Sequence, residues 1–127
     1  VPRAPCTPWR EPPPRARRRP AHTCGCGPLW YQGKLADKVY SAFTASSTAH
    51  GGQESTLLAL GNTFYHWGGV IVPPGYTDPV QFKSGNPYGT SHVSGEGAPG
   101  EVSLQAARHQ ARRVARTAAL LKGGRAA

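Results

Sequence analysis

Between Val39 and Val72 the order of residue types leaves few folds open. VYSAFTA, residues 39–45, alternates apolar and polar positions over a length typical of a strand entering a core. Residues 46–52, Ser-Ser-Thr-Ala-His-Gly-Gly, are small, hydroxylated and rich in glycine. From Gln53 to Trp67 the period changes: Leu57, Leu60, Phe64 and Trp67 fall on one face of a helix. Glu54 sits in its first turn, where the helix dipole favours a carboxylate, and Gly68-Gly69 end it. Val70-Ile71-Val72 then reads as a short strand stopped by Pro73 and Pro74. Strand, loop, helix and strand in this order form a βαβ unit, whose strands must run parallel with a right-handed crossover. Sheets of this kind bind ligands beyond the carboxyl ends of their strands. The 46–52 loop lies at that end and feeds a helix N-terminus, where main-chain N–H groups favour acceptors. Ser46 and Thr48 are also of the type that caps a helix.

The chain around this unit is uneven. Residues 29–38 are mixed and turn-rich. Residues 73–100 read as a long irregular stretch of Gly, Pro, Tyr and Ser, a length that in a compact domain is functional or disordered. A final helix is expected from near Ser103, with Leu104, Ala107, Ala111, Val114, Ala118 and Leu121 as one apolar stripe and Gly123-Gly124 closing it. Arg108, Arg112, Arg113 and Arg116 lie off that stripe, as a solvated face or as a nucleic-acid contact.

Net charge is +9 over 127 residues, room for one small domain. Residues 1–28 hold six Arg against one Glu, and residues 101–127 hold six basic residues against one Glu. Residues 29–100 hold three Lys against four acids, so the basicity lies at the two ends. A nucleic-acid binder more often interleaves basic and aromatic residues on one face. No apolar run approaches the ~20 residues of a membrane span, and no apolar signal region opens the chain. Three Cys, an odd count, fit a reducing cytoplasmic compartment better than a disulfide framework. The first residue is Val rather than Met, which points to an absent upstream piece.

Residues 1–27 do not read as a folded segment. Seven Pro rule out a regular helix or central strand, and few aliphatic side chains are available to offset the lost chain entropy. Pro, Arg, Ala and Gly fill 18 of the 27 positions, the composition of a GC-rich gene translated out of frame. Two further readings are a basic, Pro-rich interaction arm and a Cys/His metal knot built on Cys6, His22, Cys24 and Cys26.

Four segments in order carry a resemblance: LWYQGKL, HGGQESTLL, YHWGGVIV and SGNPYGTSHVSG. They resemble the C-terminal half of the WrbA-type NAD(P)H:quinone oxidoreductases, flavodoxin-like proteins that bind FMN, over residues 28–122. The resemblance implies a partial flavodoxin-like α/β fold, with two parallel strands and two main helices, behind a disordered N-terminal arm and ahead of a tail at 123–127. It implies FMN as cofactor, NADH or NADPH as electron donor and a quinone as two-electron acceptor. The family's third FMN loop, approximately S-T-G-T-x-H-G-G-Q-E, matches Ala45, Ser46, Ser47, Thr48, Ala49, His50, Gly51 and Gly52. Ser47 stands where the family has Gly and Ala45 where it has a hydroxyl residue, both expected to weaken FMN binding. His66 falls on a His that the family contributes to a neighbouring subunit's flavin within a tetramer. Trp30 falls on a Trp lining the nicotinamide and quinone pocket. An aromatic there can stack on a flat ring, although His66 can also be a packed helix residue and Trp30 a core or interface filler.

The family's phosphate loop, its T-R-F-G-N loop and the strands before Leu29 do not occur in this sequence. The expectation is therefore a truncated or frame-disrupted quinone oxidoreductase with no metal site. The rivals are a non-catalytic basic protein contacting nucleic acid through its charged ends, and a flavodoxin-like electron carrier lacking the nicotinamide step.

Overall fold

The computed structural model describes residues 23–124 of the chain. Residues 1–22, with Cys6 and His22 of the proposed metal knot, lie outside the described residues, and no Cys/His/Asp/Glu cluster suited to a metal occurs among the described ones. A short 3-10 turn at Thr23–Cys26 leads into helix α1 (Gly27–Tyr31). Strands β1 (Val39–Tyr40) and β2 (Phe43–Ser46) follow, then helix α2 (Gln53–His66) and strand β3 (Val70–Ile71). Helix α3 (Pro79–Ser84), strand β4 (Thr90–Val93) and helix α4 (Glu101–Gly124) complete the order.

The segment expected as one strand is interrupted at Ser41-Ala42, and its two halves take different partners. β1 pairs with β3, and β2 pairs with β4, both in parallel. The carbonyls of Lys38 and Tyr40 accept from the amides of Val70 and Val72 at 2.8 and 2.9 Å. Further along, the carbonyl of Ala42 accepts from Gln110 Nε2 at 2.7 Å and that of Ser46 from Ser94 Oγ at 3.1 Å. Successive carbonyls of a strand point to alternate edges, so these even-numbered residues face one edge. β3 and β4 therefore occupy the same edge of a single extended run, one after the other. The opposite edge, lined by Val39, Ser41, Phe43 and Ala45, has no strand partner among the described residues, and Phe43 is 80% exposed.

Gln110 fills the break between the two pairings. Its Oε1 accepts from both the amide and the hydroxyl of Thr90 at 2.7 Å, while Nε2 donates to Ser41 Oγ at 2.6 Å and to the Ala42 carbonyl. A side chain from α4 thus replaces ladder bonds at the point where β3 has left and β4 has just begun. Gln110 is 6% exposed, so water is a poor substitute for these partners.

The core lies between the strands, α2 and the first half of α4. Leu57 is the buried anchor of α2, and deleting most of such a side chain costs about 2–5 kcal/mol. At the other end of α2, the ring of Tyr40 lies 4.9 Å from that of Phe64 and 5.5 Å from that of Trp67. The Tyr40 hydroxyl donates to the Leu35 carbonyl at 2.8 Å. Burial, with repulsion from Cys26 added, raises the pKa of this phenol above its ordinary 10.0. The fold prefers the neutral phenol, so this stabilisation is complete at neutral pH and is lost as pH climbs through the raised value.

Two sequence expectations need correcting. Residues 73–100 are not one irregular stretch. Asp78 caps α3, accepting from Val80 N at 2.9 Å, with Pro79 at the first turn and Gly85 ending the helix. β4 forms because Thr90–Val93 finds the vacant stretch of edge beyond Tyr40, a pairing no local pattern reveals. The buried line of α4 is also rotated from the apolar stripe. Ala106 and Gln110 are its buried residues, whereas Leu104 and Leu121 are largely exposed. The helix runs from Glu101 through Gly124, so Gly123-Gly124 lie inside it. His109 secures it, its Nε2 against Thr77 Oγ1 at 2.8 Å and Nδ1 at 3.5 Å from the Asp78 carboxylate. None of the helices of the described residues is long and apolar enough to cross a membrane.

Replacing Gln110 by Ala removes four hydrogen bonds and leaves the buried amide of Thr90 without an acceptor, an expected loss of about 1–3 kcal/mol in urea unfolding. The reverse sign is expected at Gln81. That residue is 0% exposed and both its amide atoms lack a partner. Gln81→Met keeps the volume and removes two orphaned polar atoms, so it is expected to stabilise by about 1–3 kcal/mol in the same measurement.

Candidate functional site

The carboxyl ends of β2 and β4 lie side by side, and the chain leaves each through a turn of small residues. After β2, Ser46 Oγ donates to the Thr48 carbonyl at 2.7 Å, and the amide of Gly51 donates to the same carbonyl at 3.0 Å. The loop folds tightly on Thr48 in consequence. Gly52 is the N-cap of α2, with a left-handed φ of 78° and no side-chain cap. The capping role open to Ser46 and Thr48 is therefore not used: the Ser46 hydroxyl shapes the loop and accepts from no main-chain N–H of the helix. After β4, Ser94 Oγ donates to the Ser46 carbonyl, and His92 Nε2 donates to the Gly97 carbonyl at 2.7 Å. Gly95 packs so closely on the loop that a Cβ there would overlap the Ser47 carbonyl oxygen.

Ala45 and Ser47–Gly51 stay exposed at this end of the sheet. The main-chain amides of Thr48, Ala49 and His50 have no acceptor among the described residues. Three adjacent N–H donors without acceptors, on exposed residues, suit the carbonyl oxygens and ring nitrogens of a flat heterocycle. On one flank a cleft of about 680 Å3 opens, with Ala49, His50 and the first turn of α2 on one wall and Ser84, Gly85, Asn86 and Ser91 on the other.

Trp30 and His66 lie elsewhere, and they lie together. Trp30, in α1 and 44% exposed, stacks on His66 with ring centroids 5.0 Å apart and planes 21° from parallel. His66 is the last residue of α2 and the loop precedes its first. A helix of 14 residues is about 21 Å long. The loop Ala45–Gly51 and the Trp30–His66 pair therefore sit at opposite ends of α2, and one copy of the chain does not bring them to one ligand.

Sequence reasoning missed Gln53, His92 and the 94–97 turn. Gln53 Nε2 donates to Ser46 Oγ at 2.8 Å and to the His92 carbonyl at 3.0 Å, knotting α2, β2 and β4. The small residues of Ser94-Gly95-Glu96-Gly97 were the one available sign, since they repeat after β4 the texture of the loop after β2.

Parallel strands with a donor-lined loop at their carboxyl ends define an α/β protein with a candidate ligand site at the sheet's mouth. Known sequences narrow that class. The chain is 52% identical over 99 residues to an NAD(P)H dehydrogenase (quinone) of Deinococcus radiodurans, covering 76% of this chain and 49% of that protein. It is 50% identical over 103 residues to the protein of the same name from Sinorhizobium fredii, covering 75% and 52%. A third, from Aromatoleum aromaticum, is 41% identical over 109 residues, covering 80% and 53%. The chain is homologous to the NAD(P)H dehydrogenases (quinone) over about half of their length. It spans about half the length of the curated relatives it matches. No family model matches it.

Proposed function

We propose that the chain carries part of a WrbA-type, FMN-dependent NAD(P)H:quinone oxidoreductase, with residues 28–122 as its flavodoxin-like portion. The observation that carries this reading is the row of free amides at Thr48–His50, on the exposed loop at the carboxyl end of a parallel pair. When bound there, FMN would accept a hydride from NADH or NADPH and deliver two electrons to a quinone.

The chain's own contribution is placement. The amides of Thr48, Ala49 and His50 would donate to the acceptor edge of the ring, while the small Ala45 leaves room for a close approach; Gly51 serves the loop itself, because a Cβ there would overlap Ser46. Ser46 holds the loop rather than the ligand, because its hydroxyl is already engaged on both sides. Ser47, exposed on the loop, adds a side chain where the family pattern has none. The residues present suit the ring of FMN; no loop for its phosphate occurs among the described residues. Trp30 would offer its open face to a nicotinamide or quinone, with His66 behind it.

The length of α2 makes a second copy part of this reading, since only a neighbouring chain can bring its His66 and Trp30 to the loop. α2 supports it: besides the buried Leu57, it presents Leu58, Leu60 and Tyr65 to the surface, and a helix apolar on several sides is usually covered on several sides. A homo-oligomer, a tetramer in the WrbA-type family, would supply that cover. The nucleic-acid alternative draws less support. Arg108 pairs with Glu101 at 3.2 Å and Arg113 donates to the Pro73 carbonyl at 3.3 Å, so part of the basic face of α4 serves the fold.

FMN added to the full chain is expected to lose fluorescence saturably and to support NAD(P)H oxidation only when a quinone is present. His66→Ala is expected to lower kcat/KM by about tenfold or more, the loss of one positioned group, with the melting temperature nearly unchanged. Unquenched FMN and no flavin-dependent turnover would overturn the proposal.

A further inference from the structure

We infer that Gln53 is the positioning residue of the loop: its amide nitrogen, bridging Ser46 and His92, sets the direction in which the Thr48–His50 amides point. This rests on the flavin reading for what the loop binds, but not for how the loop is held. Gln53 is the first residue of α2 and is only partly exposed. Its Nε2 meets two acceptors from two different strands, Ser46 Oγ at 2.8 Å and the His92 carbonyl at 3.0 Å. A carbonyl oxygen can only accept, so the nitrogen of the side-chain amide must face this side. Ser46 Oγ spends its one proton on the Thr48 carbonyl, so toward Gln53 it can only accept. The bonds thus form a directed chain: Gln53 donates to Ser46, Ser46 donates to Thr48, and the Thr48 carbonyl also receives Gly51.

The other bonds hold the loop at its two ends, where the Gly52 carbonyl accepts from Ser55 Oγ and Thr56 N, both at 3.0 Å. α2 has no side-chain cap, and the loop's own main chain contributes the single Gly51 to Thr48 bond. Ser94 and Gly95 brace the Ser46 and Ser47 carbonyls from the β4 side, which fixes the base of the loop and leaves its crown to the Ser46–Thr48 bond. Without the Gln53 donor, the Ser46 hydroxyl loses the partner that orients it toward Thr48. The three free amides then lose their fixed placement. An ordered row of donors binds a rigid acceptor edge better than a mobile one, because less conformational entropy remains to be lost on binding.

The test uses the full 127-residue chain with Gln53→Ala and Gln53→Glu. Glutamate keeps the length of the side chain but offers only acceptors when ionised, so it separates hydrogen-bond donation from packing. Amide 15N relaxation reads the loop with no ligand present. In the parent chain, order parameters at Thr48–His50 are expected near those of rigid backbone, about 0.85, and in both variants below about 0.6, with values for Leu57–Phe64 unchanged. The FMN dissociation constant is expected to rise about tenfold in both, the effect of losing roughly one hydrogen bond to a preorganised site. Unchanged order parameters at Thr48–His50 in both variants would overturn the inference, and so would parent-like values in Gln53→Glu, which would make the role one of volume. A loop that loosens as expected in a chain that takes up no FMN would uphold Gln53 and sink the flavin reading instead.

Discussion

Every feature of the site depends on one strand edge being used twice. Residues 39–46 give their even-numbered carbonyls first to β3 and then to β4. Between the two partners the chain leaves the sheet for the length of α3 and returns in the same direction. The gap this creates is not left to water. Gln110 reaches in from α4 and satisfies Thr90 on one side and Ser41 and Ala42 on the other. Because β4 resumes the edge where β3 left it, the carboxyl ends of β2 and β4 finish together. That coincidence lets the 94–97 turn brace the loop from the side and leaves the loop's crown uncovered.

The sequence made the local part of this visible. Apolar spacing in Gln53–His66, the glycines after it and the β-branched Val70-Ile71 are signals carried by neighbours in the chain, and they led to the parallel unit and to the loop at its mouth. What stayed hidden rests on partners far apart. Thr90–Val93 has no strand signal strong enough to stand alone; it is a strand because an edge about 50 residues earlier in the chain is vacant. α4 misled for the same reason. Its apolar stripe is real, but the buried line is chosen by Gln110, a polar residue whose four hydrogen bonds secure that face. The resemblance nominated Ala45–Gly51 and the pair Trp30 and His66 as candidate site residues. Their separation by the length of α2 was already implied by the helix, whereas the knot at Gln53 needed coordinates.

Two surfaces of the described residues are left uncovered. The odd-numbered edge of Val39–Ala45 and the Ala107, Ala111 and Val114 side of α4 together line an open groove of about 600 Å3. Its walls are mainly apolar, with Ser41, Thr90 and Gln110 among the lining residues and Phe43 beside them. Unpaired edges of this kind are aggregation-prone in isolation, which makes net charge a practical asset here. Like charge at the two ends opposes non-specific association, while residues 29–100, which include α2, are nearly neutral and do not oppose pairing there.

The account's central claim is that the free amides of Thr48–His50 are the ligand-facing part of this chain. Amide chemical-shift mapping of the labelled full chain, with FMN added stepwise, tests it most directly. The account predicts that the largest shifts fall on Ser47–Gly52, with the basic face at Arg108–Arg116 unmoved. Shifts centred on that basic face, with the loop silent, would contradict it.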